Sequence, residues 1–327
     1  MRLDRHFCTL FDSNYLLKGV VMLDTLRRHC PSATVHVLCM DDATYEILGS
    51  LGMEGVERLR LPEIEDEELL RVKPGRSVAE YCWTLSAALC WYLLQHRPAI
   101  ECLTYLDADL MFFSDVEPLF QEIGAASIAI TEHRFVPRLR HLEAYGRFNV
   151  QWVGFRRTSP GLACLRTWRA QCIDWCFARL EDGRLGDQKY LDDWPATYAG
   201  DVHIVQHCGV GVAPWNFANH HYRVSGGQIL VDDRPLIFYH FHQFQILSGG
   251  RYDRMSSVYA GDATIPEVIY RRYEQSIEDA VKRVRTVVPG FSAGIRPAGW
   301  IRARRAVQRF LPVSVKNVLR RAGLHTW

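Results

Sequence analysis

Apolar and polar positions in the N-terminal part of the chain follow one another in the order strand, helix, strand. Residues 7–11 are mostly apolar, residues 16–26 have apolar positions at helical spacing, and residues 35–40 are mostly apolar again. A polar break follows each predicted strand, at residues 12–14 and 41–42. Because open parallel α/β sheets bind ligands at the carboxyl ends of their strands, this pattern predicts a β-α-β unit with a ligand-binding edge.

The same kind of pattern predicts further elements along the chain. Strands are predicted at residues 56–61, 102–106, 127–131, 150–156, 204–206, 229–231 and 236–241. Helices are predicted at residues 77–95, 115–124, 162–180, 187–194 and 266–288. The regular alternation weakens beyond residue 148. We therefore predict an α/β first half with a mixed α+β elaboration built onto it.

The composition is that of a folded globular protein. The chain has 327 residues, of which 48% are hydrophobic and 23% charged. These values exclude a disordered or fibrous protein and suit one large domain or two modest ones. The formal net charge is +2, but eight basic residues and no acidic side chain lie from Arg296 to the end, which leaves −6 on residues 1–295. We predict a main domain at residues 1–255 and a helical region with a basic tail at residues 256–327.

The basic tail has an amphipathic pattern. Trp300, Val307 and Phe310 fall near one helical face, and arginines line much of the rest. This pattern suits a helix lying on an anionic membrane surface. It equally suits a helix that packs its apolar stripe on the main domain. No nucleic-acid-binding motif accompanies the basic run, so no nucleic-acid partner is predicted.

Membrane insertion and secretion find no support in the sequence. No window has the length of uncharged apolar sequence that a spanning helix needs, and the N-terminus lacks the apolar core and cleavage site of a signal peptide. We expect a cytoplasmic protein, peripheral on the cytoplasmic membrane face if the tail binds lipid. The ten cysteines include no Cys-x-x-Cys pair, which favours buried reduced thiols over a zinc site.

Two carboxylates at the end of a predicted buried strand are the sharpest candidate for chemistry. Asp107-Ala108-Asp109 directly follows the apolar residues 102–106. Two aspartates one residue apart can hold a hard divalent cation through oxygen and leave positions on the metal for phosphate oxygens. The alternative is an Asp-rich turn that caps a helix. The strand in front favours the metal site, because it places both carboxylates at the ligand edge of the sheet.

Two histidines follow a second predicted strand. His240 and His242 come directly after apolar residues 235–239. Since a strand alternates faces, both imidazoles should point to the same side, where either could complete a carboxylate metal site. Without the aspartates, two histidines held by neighbouring carbonyl groups would be the simpler interpretation.

Amide and carboxylate side chains suited to sugar hydroxyls occur at two further places. Asn149 and Gln151 lie among apolar residues, and Asp187-Gln188 stands at a predicted helix start. Such groups could form several hydrogen bonds with a sugar. An aspartate at a helix start is also an ordinary N-cap, and a buried amide is also compatible with a role in the core.

In order and spacing these residues resemble a known family. The chain is similar to nucleotide-diphosphosugar glycosyltransferases of the GT-A fold, in particular glycosyltransferase family 8 and bacterial transferases of cell-surface polysaccharide synthesis. The resemblance spans about residues 6–245. It rests on Thr9, Asp12 and Tyr15, on Asp107 and Asp109 as the metal-binding Asp-x-Asp, on Asn149, on Gly186-Asp187-Gln188, and on His240-Phe241.

The resemblance implies a role for each of these residues. Those of the first strand and its loop would lie near the base and ribose of the nucleotide: Thr9, Asp12 and Tyr15. Lys73 or Arg76 would reach the diphosphate. The metal ion, Mn²⁺ or Mg²⁺, would be held by Asp107, Asp109 and His240. His242 would lie nearer the phosphate. The residues facing the donor sugar and its reacting carbon would be Asp187 and Gln188, with Asn149 beside the donor.

The chain departs from the family pattern in two places. Family 8 has a Gly and a Lys-Pro-Trp after the histidine, whereas Gln243-Phe244-Gln245-Ile246 follows here. The cation at the diphosphate would therefore come from elsewhere, such as Arg251 or Lys73. A small residue and Gly follow the Asn in the family, whereas Val150-Gln151-Trp152 follows here, which leaves room for a different donor sugar.

The function implied is that of a metal-dependent glycosyltransferase. It would move a sugar from a nucleotide-diphosphosugar, with a UDP-sugar favoured, to a hydroxyl of a glycan or lipid-linked acceptor in cell-surface glycan synthesis. One alternative is a metal-dependent phosphohydrolase, because Asp-x-Asp after an apolar strand also opens the haloacid-dehalogenase-type motif. That motif wants Thr or Val where this chain has Met111. The other alternative is a non-catalytic scaffold that binds nucleotide sugars.

Overall fold

A computed structural model describes residues 5–256, 258–259, 261 and 264–299. Its strands are β1 (Arg5–Phe11), β2 (Ala33–Cys39), β3 (Val56–Arg60), β4 (Cys102–Leu106), β5 (Leu110–Phe112), β6 (Ile128–Glu132), β7 (Phe148–Arg156), β8 (Val202–Ile204), β9 (Tyr222–Ser225), β10 (Gln228–Val231), β11 (Arg234–Pro235), β12 (Phe238–His240), β13 (Gln245–Leu247), β14 (Arg251–Asp253) and β15 (Ile295–Arg296). Its α-helices are α1 (Leu16–His29), α2 (Asp42–Leu51), α3 (Leu61–Ile64), α4 (Glu67–Val72), α5 (Val78–His96), α6 (Glu117–Ile123), α7 (Ser159–Asp174), α8 (Trp194–Thr197) and α9 (Glu267–Val287).

A seven-stranded sheet with the order β3-β2-β1-β4-β7-β6-β8 forms the centre of the molecule. β3, β2, β1 and β4 are parallel to one another, and β8 is parallel to β6. β7 pairs antiparallel with both β4 and β6, so it alone in this sheet runs against the others. The carboxyl ends of β1, β2 and β4 meet at one edge, the edge at which the sequence places its candidate ligand-binding residues.

Successive residues of β1 face two separate hydrophobic layers. Phe7 belongs to a core cluster shared with α1 and α9, whereas Cys8 belongs to a cluster shared with α5 and α7. Both side chains are fully buried. The sheet therefore separates two helical layers, which confirms the predicted α/β class.

A second, two-stranded sheet lies beside the carboxyl end of β4. β5 pairs antiparallel with β12, and Leu110 lies opposite His240. Phe238 of β12 stacks on Trp152 of β7, with ring centroids 5.6 Å apart, and both rings are fully buried. Because a slip by one residue would turn every side chain to the other face, this buried contact fixes the register that orients His240.

Four predicted elements differ from the structure. The strand predicted at residues 204–206 is β8, which lies at Val202–Ile204. The helix predicted at residues 162–180 is α7, which ends at Asp174 because Trp175 is extended. The helix predicted at residues 187–194 is a 3-10 turn at Gln188–Asp193 followed by the short α8. The strand predicted at residues 236–241 is regular only over Phe238–His240. The sequence pattern also missed β5.

Beyond residue 255, α9 packs against helices α1 and α2, which flank the main sheet. α9 buries Ile269, Tyr273 and Ile277 in the cluster that it shares with α1, and Arg283 donates a hydrogen bond of 2.7 Å to Asp24 Oδ1 on α1. The predicted division of the chain at residue 255 stays a prediction. The predicted tail helix lies outside the described residues. Within the described part of the chain, no helix has the length and apolarity needed to cross a membrane.

Candidate active site

The pairing of β5 with β12 brings the Asp-x-Asp turn and His240 together. Asp107 and Asp109 lie in the turn between β4 and β5, and His240 ends β12. His240 Nε2 is 2.9 Å from Asp109 Oδ1 and 3.8 Å from Asp107 Oδ2. The amide of Phe241 donates a hydrogen bond of 2.9 Å to the carbonyl of Asp109, which ties the two segments together.

His242 joins the same cluster. One ligand atom each from Asp109, His240 and His242 lie within 4.8 Å of one another. The two imidazoles do share one side, as expected, but the chain reaches His242 through a turn rather than a strand, and the following Gln243 has a φ of 59°. Trp215 packs against both rings, with centroids 5.2 Å and 5.5 Å away. Oxygen and nitrogen donors that converge in this way fit a divalent metal.

Gln151 supports this cluster from β7. Its side-chain Oε1 accepts a hydrogen bond of 3.0 Å from His240 Nδ1, and its main-chain oxygen accepts one of 3.2 Å from the amide of Asp107. The sequence singled out Gln151 as an amide for sugar hydroxyls. In the structure its side chain instead holds the histidine, so that Nε2 is the nitrogen that faces the aspartates.

Charges in the cluster are strongly coupled. Burial raises the pKa of Asp107 to about 6, although His240 opposes the rise. Burial would also raise the pKa of Asp109, but His240 and Lys18 together hold it below its usual value. Burial works against protonation of His240, yet Asp109 and then Asp107 raise its pKa. Burial and the charge on His240 lower the pKa of His242 to about 3, so His242 is neutral, the form that binds metals.

Asp187 lies in the same electrostatic neighbourhood. It is 7% exposed, and burial followed by the charge of Asp107 raises its pKa to about 7. Ser86 of α5 opposes the rise in the pKa of both Asp187 and Tyr105, and Tyr105 opposes the rise in the pKa of Asp107. The two acidic positions that the sequence placed at the metal and at the sugar therefore share polar neighbours.

Asn149 and Gln188, both predicted to lie at the donor, contact each other. Asn149 Nδ2 lies 3.5 Å from Gln188 Oε1 and 2.9 Å from His133 Nε2. Asn149 Oδ1 accepts a hydrogen bond of 2.8 Å from the amide of Gln151. His133, which the sequence analysis did not select, has a pKa lowered to about 4 by burial. As a neutral ring it accepts from Asn149 at Nε2 and donates to the carbonyl of Arg147 at Nδ1.

The residues predicted for the nucleotide lie at the carboxyl end of β1. Thr9 is fully buried, and its Oγ1 has no hydrogen-bond partner among the described residues. Asp12 Oδ1 accepts hydrogen bonds from the amides of Asn14 and Tyr15 at 3.0 Å and 3.2 Å, so this carboxylate shapes the loop. Tyr15 is 44% exposed, but loss of water around its hydroxyl group and then the charges of Asp109 and Asp107 raise its pKa, which places its ring close to the carboxylates.

Lys73 and Arg76 make their described contacts away from the carboxylate cluster. Lys73 Nζ is 2.7 Å from Glu65 Oε1, and Arg76 donates to the carbonyl of Ile173 at 3.1 Å. The cation beside the cluster is Lys18, whose Nζ is 3.9 Å from Asp109 Oδ2. The sequence analysis missed Lys18. A signal existed, since Lys18 is the one charged residue in the otherwise apolar run 16–23.

Comparison with known proteins gives relatives along nearly the whole chain. No protein-family model matches it. The chain is 32% identical over 295 residues to the protein YfnD of Bacillus subtilis (strain 168), covering 89% of this chain and 94% of YfnD. It is 27% identical over 296 residues to YfnF of the same organism, covering 88% of this chain and 96% of YfnF.

Solved structures of glycosyltransferases share the fold. An active-site variant of the galactosyltransferase LgtC superposes with a TM-score of 0.52 at 13% identity, covering 88% of this chain and 99% of LgtC. The glycosyltransferase GlyE of Streptococcus pneumoniae TIGR4 superposes with a TM-score of 0.51 at 13% identity, covering 87% of this chain and 63% of GlyE. At this level of identity the likeness concerns the fold, and the predicted GT-A fold is confirmed.

Proposed function

We propose that this chain, which belongs to the same family as YfnD of Bacillus subtilis, is a metal-dependent glycosyltransferase acting on a nucleotide-diphosphosugar. The observation that carries the proposal is the convergence of Asp107, Asp109 and His240 at the carboxyl edge of a GT-A sheet, with His240 Nε2 2.9 Å from Asp109. Asp187, coupled to Asp107 by charge, extends this cluster toward Gln188.

The donor set suits Mn²⁺ or Mg²⁺. Asp107, Asp109 and His240 would hold the ion, and His242 is close enough to take part. Such an ion would act as a Lewis acid and neutralise the charge that develops on a departing nucleoside diphosphate. Gln151 keeps His240 Nε2 turned toward the aspartates, so the chain itself fixes which nitrogen is offered.

The remaining residues bind and orient the donor. Thr9 and Tyr15 would contact the nucleotide, and Asp12 shapes the loop that carries Tyr15. Gln188 and Asn149 offer amide groups to sugar hydroxyls. Asp187, with its pKa near neutrality, is suited both to donate and to accept a hydrogen bond at the sugar.

The transfer step is a substitution at the anomeric carbon. The bond from that carbon to the diphosphate oxygen breaks, and its electron pair stays on the oxygen. The acceptor hydroxyl oxygen forms the new bond, and its proton passes to bulk water. We propose a UDP-sugar as donor, a glycan or lipid-linked acceptor, and a role in cell-surface glycan synthesis, in keeping with the family that the sequence resembles.

A turnover assay without acceptor tests the proposal, because water then replaces the acceptor. The protein is incubated with Mn²⁺ and a panel of UDP-, GDP- and dTDP-sugars, and the products are identified by mass spectrometry. A glycosyltransferase releases the nucleoside diphosphate and free sugar. A phosphohydrolase cleaves a phosphorus–oxygen bond and yields nucleoside monophosphate and sugar phosphate. Binding of a nucleotide sugar with no product would favour a scaffold.

Two variants give the assay its control. Asp107→Asn should abolish release of the nucleoside diphosphate. Asp233→Asn makes the same change at a side chain that is 80% exposed and paired with Arg223, and should leave release unchanged. Equal release by the parent and Asp107→Asn would contradict the proposed role of the cluster.

A further inference from the structure

Lys18 is a buried cation for which the function proposed above gives no role. It lies near the start of α1, where its neighbours Leu16, Leu17 and Gly19 are also buried. Its side chain is 7% exposed. Lysine is almost never buried to this degree without a charged partner. A lysine at this place therefore requires negative charge close to its ammonium group.

The ammonium group of Lys18 points to the metal cluster. Its Nζ is 3.9 Å from Asp109 Oδ2 and 4.4 Å from the centre of the Tyr15 ring. A separation of 3.9 Å is an ion pair but is longer than a direct hydrogen bond. Lys18 is thus attracted to Asp109 without being hydrogen-bonded to it.

A second positive charge reaches this edge from the C-terminal part of the chain. β15 pairs with β13, with Arg296 opposite Leu247. Just before it, Gly294 lies against the β1–α1 loop, where an added Cβ would collide with the carbonyl oxygen of Asn14. Burial lowers the pKa of Lys18, Asp109 raises it, and Arg296 lowers it further, which is the effect of a nearby like charge.

We propose that Lys18 binds the diphosphate of the nucleotide-sugar donor, an inference that rests on the proposed function. A divalent ion held by Asp107 and Asp109 would compete with Lys18 for the charge of Asp109, which would leave the buried ammonium group short of negative charge. A buried charge without a partner is unfavourable unless a polyanion enters, and a diphosphate supplies one. An ammonium group is a common phosphate ligand in proteins.

This assignment accounts for the absence of a lysine after His240. The residues that follow it, Gln243-Phe244-Gln245-Ile246, include no cation. Lys18 of α1 supplies a cation from the N-terminal part of the chain, and it lies close to Asp109. Lys73, the cation that the sequence suggested, is instead bonded to Glu65 at 2.7 Å.

Binding measurements on the full chain test the role of Lys18. Calorimetry first measures Mn²⁺ alone, then UDP, GDP and dTDP with saturating Mn²⁺, and the diphosphate that the parent binds most tightly serves for the variants. Lys18→Met removes the charge and keeps the aliphatic chain, and Lys18→Arg keeps the charge. Lys282→Met is the matched control, since Lys282 is 72% exposed on α9.

Lys18→Met should weaken binding of the diphosphate by about 10- to 100-fold, the range for losing a hydrogen bond to a charged group. Its Mn²⁺ affinity should stay equal or rise, because a like charge has been removed from the site. Lys18→Arg should retain most of the diphosphate affinity, and Lys282→Met all of it. If Lys18→Met does not fold, Lys18→Gln serves the same comparison.

Four results would overturn the assignment. Equal diphosphate affinity in the parent and Lys18→Met removes any role for Lys18 in binding. Parallel loss of Mn²⁺ and diphosphate affinity means that Lys18 acts only through Asp109. Loss in Lys73→Met with Lys18→Met unaffected moves the role to Lys73. A parent that binds neither Mn²⁺ nor any diphosphate contradicts the proposed function itself, and the role of Lys18 with it.

Discussion

His240 and Gln151 are joined by a hydrogen bond of 3.0 Å between Nδ1 and Oε1. Because an amide oxygen only accepts, Nδ1 carries the proton and Nε2 is the nitrogen left to face Asp109. The carbonyl of the same Gln151 accepts a hydrogen bond from the amide of Asp107. One residue of β7 thus holds both the histidine and the Asp-x-Asp turn in place.

Gln151→Leu is expected to weaken Mn²⁺ binding by about 10- to 100-fold, as loss of a partner behind a metal ligand does. Its Nε2 has no hydrogen-bond partner among the described residues. Removal of that buried group should offset the lost hydrogen bond, so the free energy of unfolding should change by only about 1 kcal/mol. Calorimetry and urea unfolding measure the two quantities. Unchanged Mn²⁺ affinity would show that Gln151 does not position His240.

Asp107→Asn and Asp109→Asn are expected to remove Mn²⁺-dependent binding of nucleotide sugars while the fold remains intact. Each loses a charged oxygen at the ligand edge without opening a cavity in the core. Asp109→Asn should have the larger effect, because Asp109 is the aspartate within 2.9 Å of His240. Calorimetry measures the binding, and circular dichroism checks the fold. Retained Mn²⁺-dependent affinity in both variants would refute the metal assignment.

His240→Gln is expected to weaken Mn²⁺ binding more than His242→Gln. His240 lies close to both aspartates and is held by Gln151, whereas His242 follows the strand in a turn. The matched substitution at the two positions isolates the metal contact from the loss of an imidazole. Titration of Mn²⁺ followed by electron paramagnetic resonance gives both affinities. A larger loss in His242→Gln would make His242 the principal ligand.

Asp187→Asn is expected to stabilise the protein at pH 8 but not at pH 4. Burial and then Asp107 raise the pKa of Asp187 from 3.8 to about 7. A carboxyl group whose pKa is higher in the folded than in the unfolded protein destabilises the fold only when it is ionised. The loss of stability is therefore absent below about pH 4 and complete above about pH 7. Asparagine avoids this cost, which should be at least about 1 kcal/mol at pH 8.

Calorimetric melting at several pH values measures this effect. The difference in Tm between Asp187→Asn and the parent should grow from pH 4 to pH 8 by about 2–4 °C for each kcal/mol. Asp233→Asn, at an exposed side chain, should show no such trend. A difference that does not vary with pH would mean that Asp187 is not held in a charge-disfavouring environment.

The local pattern of apolar residues predicted the elements beside the proposed nucleotide-binding edge of the sheet. Residues 7–11, 16–26 and 35–40 form β1, α1 and β2, because each has enough apolar positions to show its period. β5 was missed because Leu110–Phe112 is too short to show a period and depends on pairing with the distant β12. That pairing is what brings His240 to Asp109.

The contacts of individual polar side chains were harder to predict than their presence. Asn149, Gln151 and Asp187 were selected as polar residues in apolar surroundings, but the bond from Gln151 to His240 depends on the packing of β7 against β12. Lys18 was missed because a lysine in a helix is usually solvated. Its burial follows from the packing of α1 against distant parts of the chain, namely β5 and α9.

Anomalous scattering from a crystal soaked with Mn²⁺ and UDP tests the central claim most directly. The account predicts a manganese peak bonded to Asp107, Asp109 and His240, with phosphate oxygens of UDP completing the coordination. A manganese ion bound elsewhere, or UDP bound away from this cluster, would contradict it.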